Sequence, residues 1–126
     1  MKLLIVDDVE TNRYILQLYV EQLGLAYDTA ENGQEAVEKV KADNYTLIFM
    51  DINMPVMDGA TAAKVIRHEL NLSKTILPII ATTGSLAHKL LTEDDFMLFN
   101  SILTKPFNLS DIKGIIDNLT DKNHQK

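Results

Sequence analysis

The apolar positions of this chain follow two alternating periods. Residues 3–6, Leu-Leu-Ile-Val, are continuously apolar and too few for a helix, so they predict a strand buried on both faces, closed by Asp7-Asp8. From residue 10 to 23 the set Ile15, Leu16, Leu18, Tyr19, Val20 and Leu23 has helical spacing, and Gly24 supplies the stop. Residues 26–30 alternate weakly and predict a second strand, followed by a helix with the face Ala36, Val37 and Val40 that ends at Asp43-Asn44. Residues 45–50 predict a third strand and 51–57 a loop, after which Asp58-Gly59 opens a helix carrying Ala62, Ala63, Val65, Ile66 and Leu70. A fourth strand is expected over 76–82, with Pro78 tolerated near its start, and Thr83-Gly84-Ser85 makes a small-residue corner.

The pattern over residues 86–99 predicts a helix broken or capped afresh at Thr92-Glu93-Asp94-Asp95. Residues 102–104 form a short fifth strand. Leu109, Ile112, Ile115, Ile116 and Leu119 then make a helical stripe behind Asn108 or Ser110 as N-cap, before a polar tail expected to be loose.

Strand and helix thus alternate about five times. That order specifies an α/β fold: a three-layer, doubly wound (βα)5 arrangement in which helices cover both faces of a five-stranded parallel sheet, because parallel strands need right-handed crossovers. Ligands in such sheets bind beyond the carboxyl ends of the strands. Asp7, Asp8, Asp51, Thr83 and Lys105 all follow the last apolar residues of their strands, so all five are expected at one sheet edge.

Composition narrows the function. A chain of 126 residues fits one domain, and its 46% hydrophobic and 24% charged residues are ordinary for a soluble globular protein. No apolar run approaches the roughly 20 residues of a membrane span, and a strand reached at residue 3 leaves no room for a secretory signal, so the cytoplasm is the expected location. With no cysteine there is neither a disulfide nor a Cys-based zinc site, and a net charge of −6 argues against a nucleic-acid surface.

The gathered acids set the chemistry. Three carboxylates about 4–5 Å apart repel by roughly 3–4 kcal/mol per pair at an effective dielectric near 20, so a cation is expected among them. Oxygen ligands suit Mg²⁺ or Mn²⁺, whereas His68, His88 and His124 are too scattered for zinc. Lys105 adds a fixed positive charge, which leaves Asp51 able to accept a phosphoryl group as a carboxylate nucleophile. Thr83, beside backbone N–H groups at Gly84, offers a further contact to phosphoryl oxygens.

These segments resemble the response-regulator receiver domains over nearly the whole chain. "LLIVDD" is similar to that family's first strand and acidic pair, "MDINMPVMDG" to its phosphoacceptor loop, "PIIATTG" to the strand ending in a hydroxyl residue, and "LTKPF" to its lysine and proline. The resemblance implies a flavodoxin-like strand order 2-1-3-4-5, Asp51 as phosphoacceptor, and Mg²⁺ held by Asp8, Asp51 and the carbonyl of Asn53, with Asp7 acting through water. It also implies phosphoryl contacts from Thr83, Lys105 and the backbone at Gly84, a cis Lys105-Pro106 bond, and lifetime tuning at Asn53 and Ser85. "DDVETNR" and "ENGQEAVE" resemble receivers attached to, or served by, hybrid histidine kinases.

The implied partners are a histidine kinase or histidine phosphotransfer protein and a downstream target or fused output domain, with the receiver a monomer or a phosphorylation-dependent dimer. The domain is expected over 1–120, with 121–126 as tail, and it would catalyse only its own phosphorylation and dephosphorylation. One departure concerns the switch: an aromatic residue often precedes the family's lysine by three positions, and here that position is Ile102.

Blander readings stand beside these. Acids after strands are often helix caps, Asp58-Gly59 is a turn and helix start, Pro55 stiffens its loop, and residues 96–99 are core or a dimer contact. Tyr14, Tyr19 and Tyr27 are expected to pack and the histidines to lie on the surface. Three other functions compete. A haloacid-dehalogenase-type phosphatase uses the same residue kinds in a different order, a flavodoxin-like flavin binder would find Asp7-Asp8 repelling its phosphate, and a degenerate receiver would act without phosphorylation.

Overall fold

The computed structural model describes residues 1–84 and 91–124, and side chains through Leu119. Five strands, β1 (Lys2–Val6), β2 (Ala26–Ala30), β3 (Leu47–Asp51), β4 (Ile79–Thr83) and β5 (Ser101–Thr104), form one parallel sheet in the order 2-1-3-4-5. Between and after them lie α1 (Glu10–Gln22), α2 (Gly33–Ala42), α3 (Gly59–Lys64), a short α4 (Glu93–Phe96) and α5 (Leu109–His124).

The continuous apolar runs do what their composition requires. Leu4, Val6, Ile48, Met50, Ile79 and Ala81 face one way and pack with Ala36, Val37, Ala62, Ala63 and Ile66 of α2 and α3. Leu3, Ile5, Leu47, Phe49 and Ile80 face the other way, against Leu16 and Val20 of α1 and Ile112 and Ile116 of α5. Each strand therefore feeds two cores, and its register is pinned from both faces.

Several element ends differ from the sequence expectation. Strand β3 begins at Leu47, because Tyr45 turns out of the ladder and donates its hydroxyl to Asp28 (2.6 Å), and it runs one residue further to include Asp51, which pairs with Thr82. Strand β4 begins at Ile79: Pro78 has no N–H to give, and Ile76 sits 64% exposed in a turn closed by the Leu77 N–H to Ser73 O bond. It ends at Thr83, which pairs with Thr104, so Thr83 belongs to the strand and not to the corner after it.

The expected fresh start at Thr92 is present as a capping box with Asp95, though only four residues follow as helix. The first part of the helix expected over 86–99, with His88 and Ser85, lies outside the described residues. Phe99 and Leu98 enter the core, whereas Met97 and Phe96 are exposed. Asn108 is the N-cap of α5, exchanging side-chain and backbone bonds with Asp111. That helix continues to His124, so the backbone is helical into the stretch expected to be loose.

Helix α3 passes into a π-helical stretch, Val65–Glu69. The π-helical stretch holds Arg67 half-buried by the amino ends of β4 and β5, where it donates to the carbonyls of Leu98 (2.9 Å), Leu72 (3.0 Å) and Leu77 (2.6 Å) and to Asn100 Oδ1 (3.0 Å). Burial pulls its guanidinium down to about 10, and the four acceptors hold it.

Candidate phosphoacceptor site at the carboxyl edge of the sheet

Asp7 follows β1 directly and is fully buried. Its amide donates to Ala30 O (3.1 Å), Oδ1 accepts the Val9 N–H (2.9 Å), and Arg13 Nη1 donates to its carbonyl (2.8 Å). These bonds leave the carboxylate little freedom, and its Oδ2 receives Lys105 Nζ at 3.0 Å. Asp8, by contrast, is exposed. Asp51, the last residue of β3, stands beside them with Oδ1 3.4 Å from the same Lys105 ammonium.

Lys105 stands at this edge because its amide extends the β4 ladder to Thr83 O (2.7 Å), and the Lys105-Pro106 bond after it is cis. One oxygen each of Asp7, Asp8 and Asp51 lies within 4.8 Å of the others. Burial, and next the charge of Asp7, push the Asp51 carboxyl up to about 7, against the pull of Lys105. A divalent cation would reverse that balance, and an all-oxygen donor set with one exposed member fits Mg²⁺.

The acceptor loop is held by close backbone approaches. The Gly59 N–H donates to Ile52 O (2.9 Å), and a Cβ on Gly59 would fall 2.3 Å from Asp51 O. Gly33 likewise donates to Met57 O, where a Cβ would fall at 2.5 Å. Both positions require glycine. Ile52 and Met54 bury their side chains beneath the loop and Asn53 faces outward. At the loop's tip Val56 is 83% exposed with φ 70°, inside a three-residue turn closed by Met57 N–H to Pro55 O at 2.8 Å.

The remaining expected residues fall around this centre. Thr83 is buried and its hydroxyl donates to Gly84 O (3.0 Å), while Gly84 itself is exposed with open space where a Cβ would stand. Ile102 is half-buried, packs on the α2 and α3 side, and pairs with Ala81. His68 is exposed and contributes nothing here. Sequence reasoning took Asp58-Gly59 as a plain helix start. Asp58 does cap α3, accepting the Thr61 N–H, but the exclusion of a side chain at Gly59 by Asp51 was not foreseen. Sequence reasoning took Asn32-Gly33 only as the boundary after the second strand and Thr82 only as the end of the fourth, and it passed over Arg67.

Residues 3–117 match the family model for the response regulator receiver domain. The chain belongs to the response-regulator receiver family. As a receiver it is 38% identical over 117 residues to hybrid signal transduction histidine kinase F of Dictyostelium discoideum, covering 91% of this chain and 11% of that protein. The chain thus spans about a tenth of the length of that curated relative.

Among solved structures it is similar to the response regulator TrrA of Thermotoga maritima in complex with Mg²⁺-BeF, at 30% identity and TM-score 0.81 over 94% of this chain and 97% of that one. It is equally similar to the receiver domain of Ssk1 of Saccharomyces cerevisiae, solved with the histidine phosphotransfer protein Ypd1. That likeness has 34% identity and TM-score 0.81, over 94% of this chain and 88% of that one. No helix among the described residues is long and apolar enough to cross a membrane.

Proposed function

We propose that this receiver accepts a phosphoryl group on Asp51 from a phosphohistidine of a histidine kinase or histidine phosphotransfer protein. The observation that carries this reading is the convergence at Asp51 of two further carboxylates and the Lys105 ammonium. In the transfer an Asp51 oxygen bonds to phosphorus, the P–N bond breaks, and the imidazole leaves with the bonding pair and takes a proton.

Asp8, Asp51 and the Asn53 carbonyl would hold Mg²⁺, or Mn²⁺ in its place, with Asp7 behind them. When bound, the cation supplies charge neutralisation at the phosphoryl oxygens. Lys105 and Thr83, with the backbone at Gly84, contact the phosphoryl group. Lys105 is drawn from Asp51 towards it, and Thr83 exchanges its bond to Gly84 O for a phosphoryl oxygen. Ile102 shares its sheet face with Thr83, through Ala81, and responds sterically in place of an aromatic.

An open groove of about 260 Å³ beside the acceptor is lined by Asn12, Ile15, Lys105, Pro106 and Phe107, and Ile15, Leu18 and Tyr14 are exposed along α1. A donor protein docking here brings its phosphohistidine to Asp51, and the Ssk1 receiver solved with Ypd1 supports that class of partner. The receiver comprises residues 1–120, with 121–126 as a tail that begins by continuing α5. It works in the cytoplasm, passes its state to a downstream protein or fused output domain, and turns over no foreign substrate.

The test is intact-mass spectrometry after incubation with acetyl phosphate, with and without Mg²⁺, on the wild type and on Asp51→Asn. A hydroxylamine-labile adduct that requires both Mg²⁺ and Asp51 is expected. No adduct on Mg²⁺-loaded protein would make the chain a degenerate receiver, and sustained hydrolysis of a chromogenic phosphate ester would make it a phosphatase.

A further inference from the structure

The hydroxyl of Thr82 is fully buried and has no hydrogen-bond partner among the described residues. It is the one buried side-chain polar atom left so among them, and the unmade bond is unfavourable in this state, which calls for a role for the hydroxyl elsewhere. Its position is specific. Asp51 and Thr82 are direct partners across β3 and β4, so they stand on one sheet face, about 4.8 Å apart along the sheet.

That face is the one that carries Phe49 and Ile80 two residues earlier, and Leu103 of β5 is Thr82's partner on the other side. Lys105, two residues after Leu103, places its ammonium on Asp7 and Asp51, on the far side of β4. Its side chain therefore spans the carboxyl end of β4, the end at which Thr82 stands. Thr83, one residue on, points to the opposite face and donates to Gly84 O.

Resting on the reading of Asp51 as phosphoacceptor, we propose that Thr82 is a further residue of the acceptor site, whose hydroxyl donates to the Asp51 carboxylate and sets the lifetime of the phosphoryl group. Once Lys105 is drawn to the phosphoryl oxygens, the other oxygen of Asp51 loses its donor, and Thr82 offers on the adjoining strand a hydroxyl without a partner among the described residues. In hydrolysis a water oxygen attacks phosphorus and the P–O bond to Asp51 breaks. The bonding pair stays on Asp51 as the restored carboxylate, and the water's proton leaves with inorganic phosphate. The negative charge returning to Asp51 is what a hydroxyl donor stabilises, so it speeds the loss.

The experiment compares wild type, Thr82→Val and Thr82→Ser, labelled at Asp51 with acetyl phosphate and Mg²⁺, then freed of donor and followed by intact mass, alongside thermal unfolding of the metal-free proteins. Thr82→Val is expected to lengthen the phosphoryl half-life about three- to tenfold while its Tm is no lower than that of the wild type, since an isosteric methyl removes an unpartnered buried hydroxyl. Thr82→Ser, which keeps the donor, is expected to return to within about twofold of the wild-type half-life. Should the valine variant not fold, Thr82→Ala reads the same half-life.

An unchanged or shortened half-life without the hydroxyl overturns the inference, and so does equal lengthening in the serine and valine variants, which would mark packing alone. If wild type is labelled and only these comparisons fail, the phosphoacceptor reading stands. If wild type takes no label on Asp51, both fall.

Discussion

The amide of Gly33 donates to the carbonyl of Met57 at 2.9 Å, joining the first residue of α2 to the far end of the acceptor loop. A methyl group on Gly33 would meet that oxygen at 2.5 Å and the Ala62 side chain at 3.0 Å. Gly33→Ala is therefore expected to displace the loop, costing about 1–3 kcal/mol in urea unfolding and slowing phosphoryl uptake at Asp51. A wild-type uptake rate in a destabilised variant would show that the loop tolerates the shift.

Because burial and Asp7 raise the Asp51 carboxyl to about 7 from 3.8, the native state keeps a proton that the unfolded chain has already lost across that interval. This group's contribution to stability consequently falls as pH rises from about 4 to 7, and is level above. In metal-free protein Asp51→Asn is expected to be more stable than wild type at pH 8, by on the order of 2 kcal/mol, with the gain vanishing towards pH 4. Saturating Mg²⁺ should narrow the gap by stabilising only the wild type's full set of acids, and its chelation should reopen it. Parallel pH profiles of Tm for the two proteins would contradict this.

Lys105→Ala takes the ammonium away from the fully buried Asp7 carboxylate. The loss is expected to be about 2–4 kcal/mol at neutral pH, measured by urea unfolding. Asp51 should still be modified by acetyl phosphate, while the amide chemical-shift changes expected in β4 and β5 of the phosphorylated wild type are lost. An unaltered activated state would count against Lys105 as the coupling group.

Val56 holds a positive φ that a β-branched side chain disfavours, and at 83% exposure it gives back almost no packing. Val56→Gly is expected to raise stability by about 0.5–1 kcal/mol, a Tm gain of a few degrees. A lower Tm would mean that the valine covers apolar surface in the loop.

Arg67 satisfies three carbonyls and Asn100 from one side chain. Arg67→Lys has too few donors, arranged around one point, to reach all four, so a loss of about 2–4 kcal/mol is expected by chemical unfolding, with Asp51 still labelled by acetyl phosphate. A change below 0.5 kcal/mol would show that water replaces the guanidinium there.

The sheet was legible because short apolar runs such as Leu3 to Val6 can be neither exposed nor helical at that length, and the acids that end them had only one edge to occupy. Strand limits were less legible. Whether Thr83 pairs depends on Thr104, twenty-one residues away, and local pattern carries no trace of that partner. Arg67 was missed for a related reason: its four acceptors are backbone carbonyls and an amide gathered from three segments, so no motif announces them. The glycines at 33 and 59 read as punctuation, whereas their role is set by how near a carbonyl passes, that of Met57 in the loop for Gly33 and that of Asp51 at the end of β3 for Gly59. The gathered acids and Lys105 pointed to the chemistry at Asp51 and the family resemblance assigned the roles, but both were silent about Thr82, which only register and burial single out.

The Arg67 clasp lies at the feet of β4 and β5, fastening Leu77 just before one strand and Leu98 and Asn100 just before the other. With their lower ends fixed, these two strands would answer the proposed change at Thr83 and Lys105 as levers on a shared fulcrum. Displacement would then grow towards the acceptor edge and die away at the opposite end. On that reading, a protein that distinguishes the two states would have to grip the domain near those tips, and one that binds close to the fulcrum would hold both states alike.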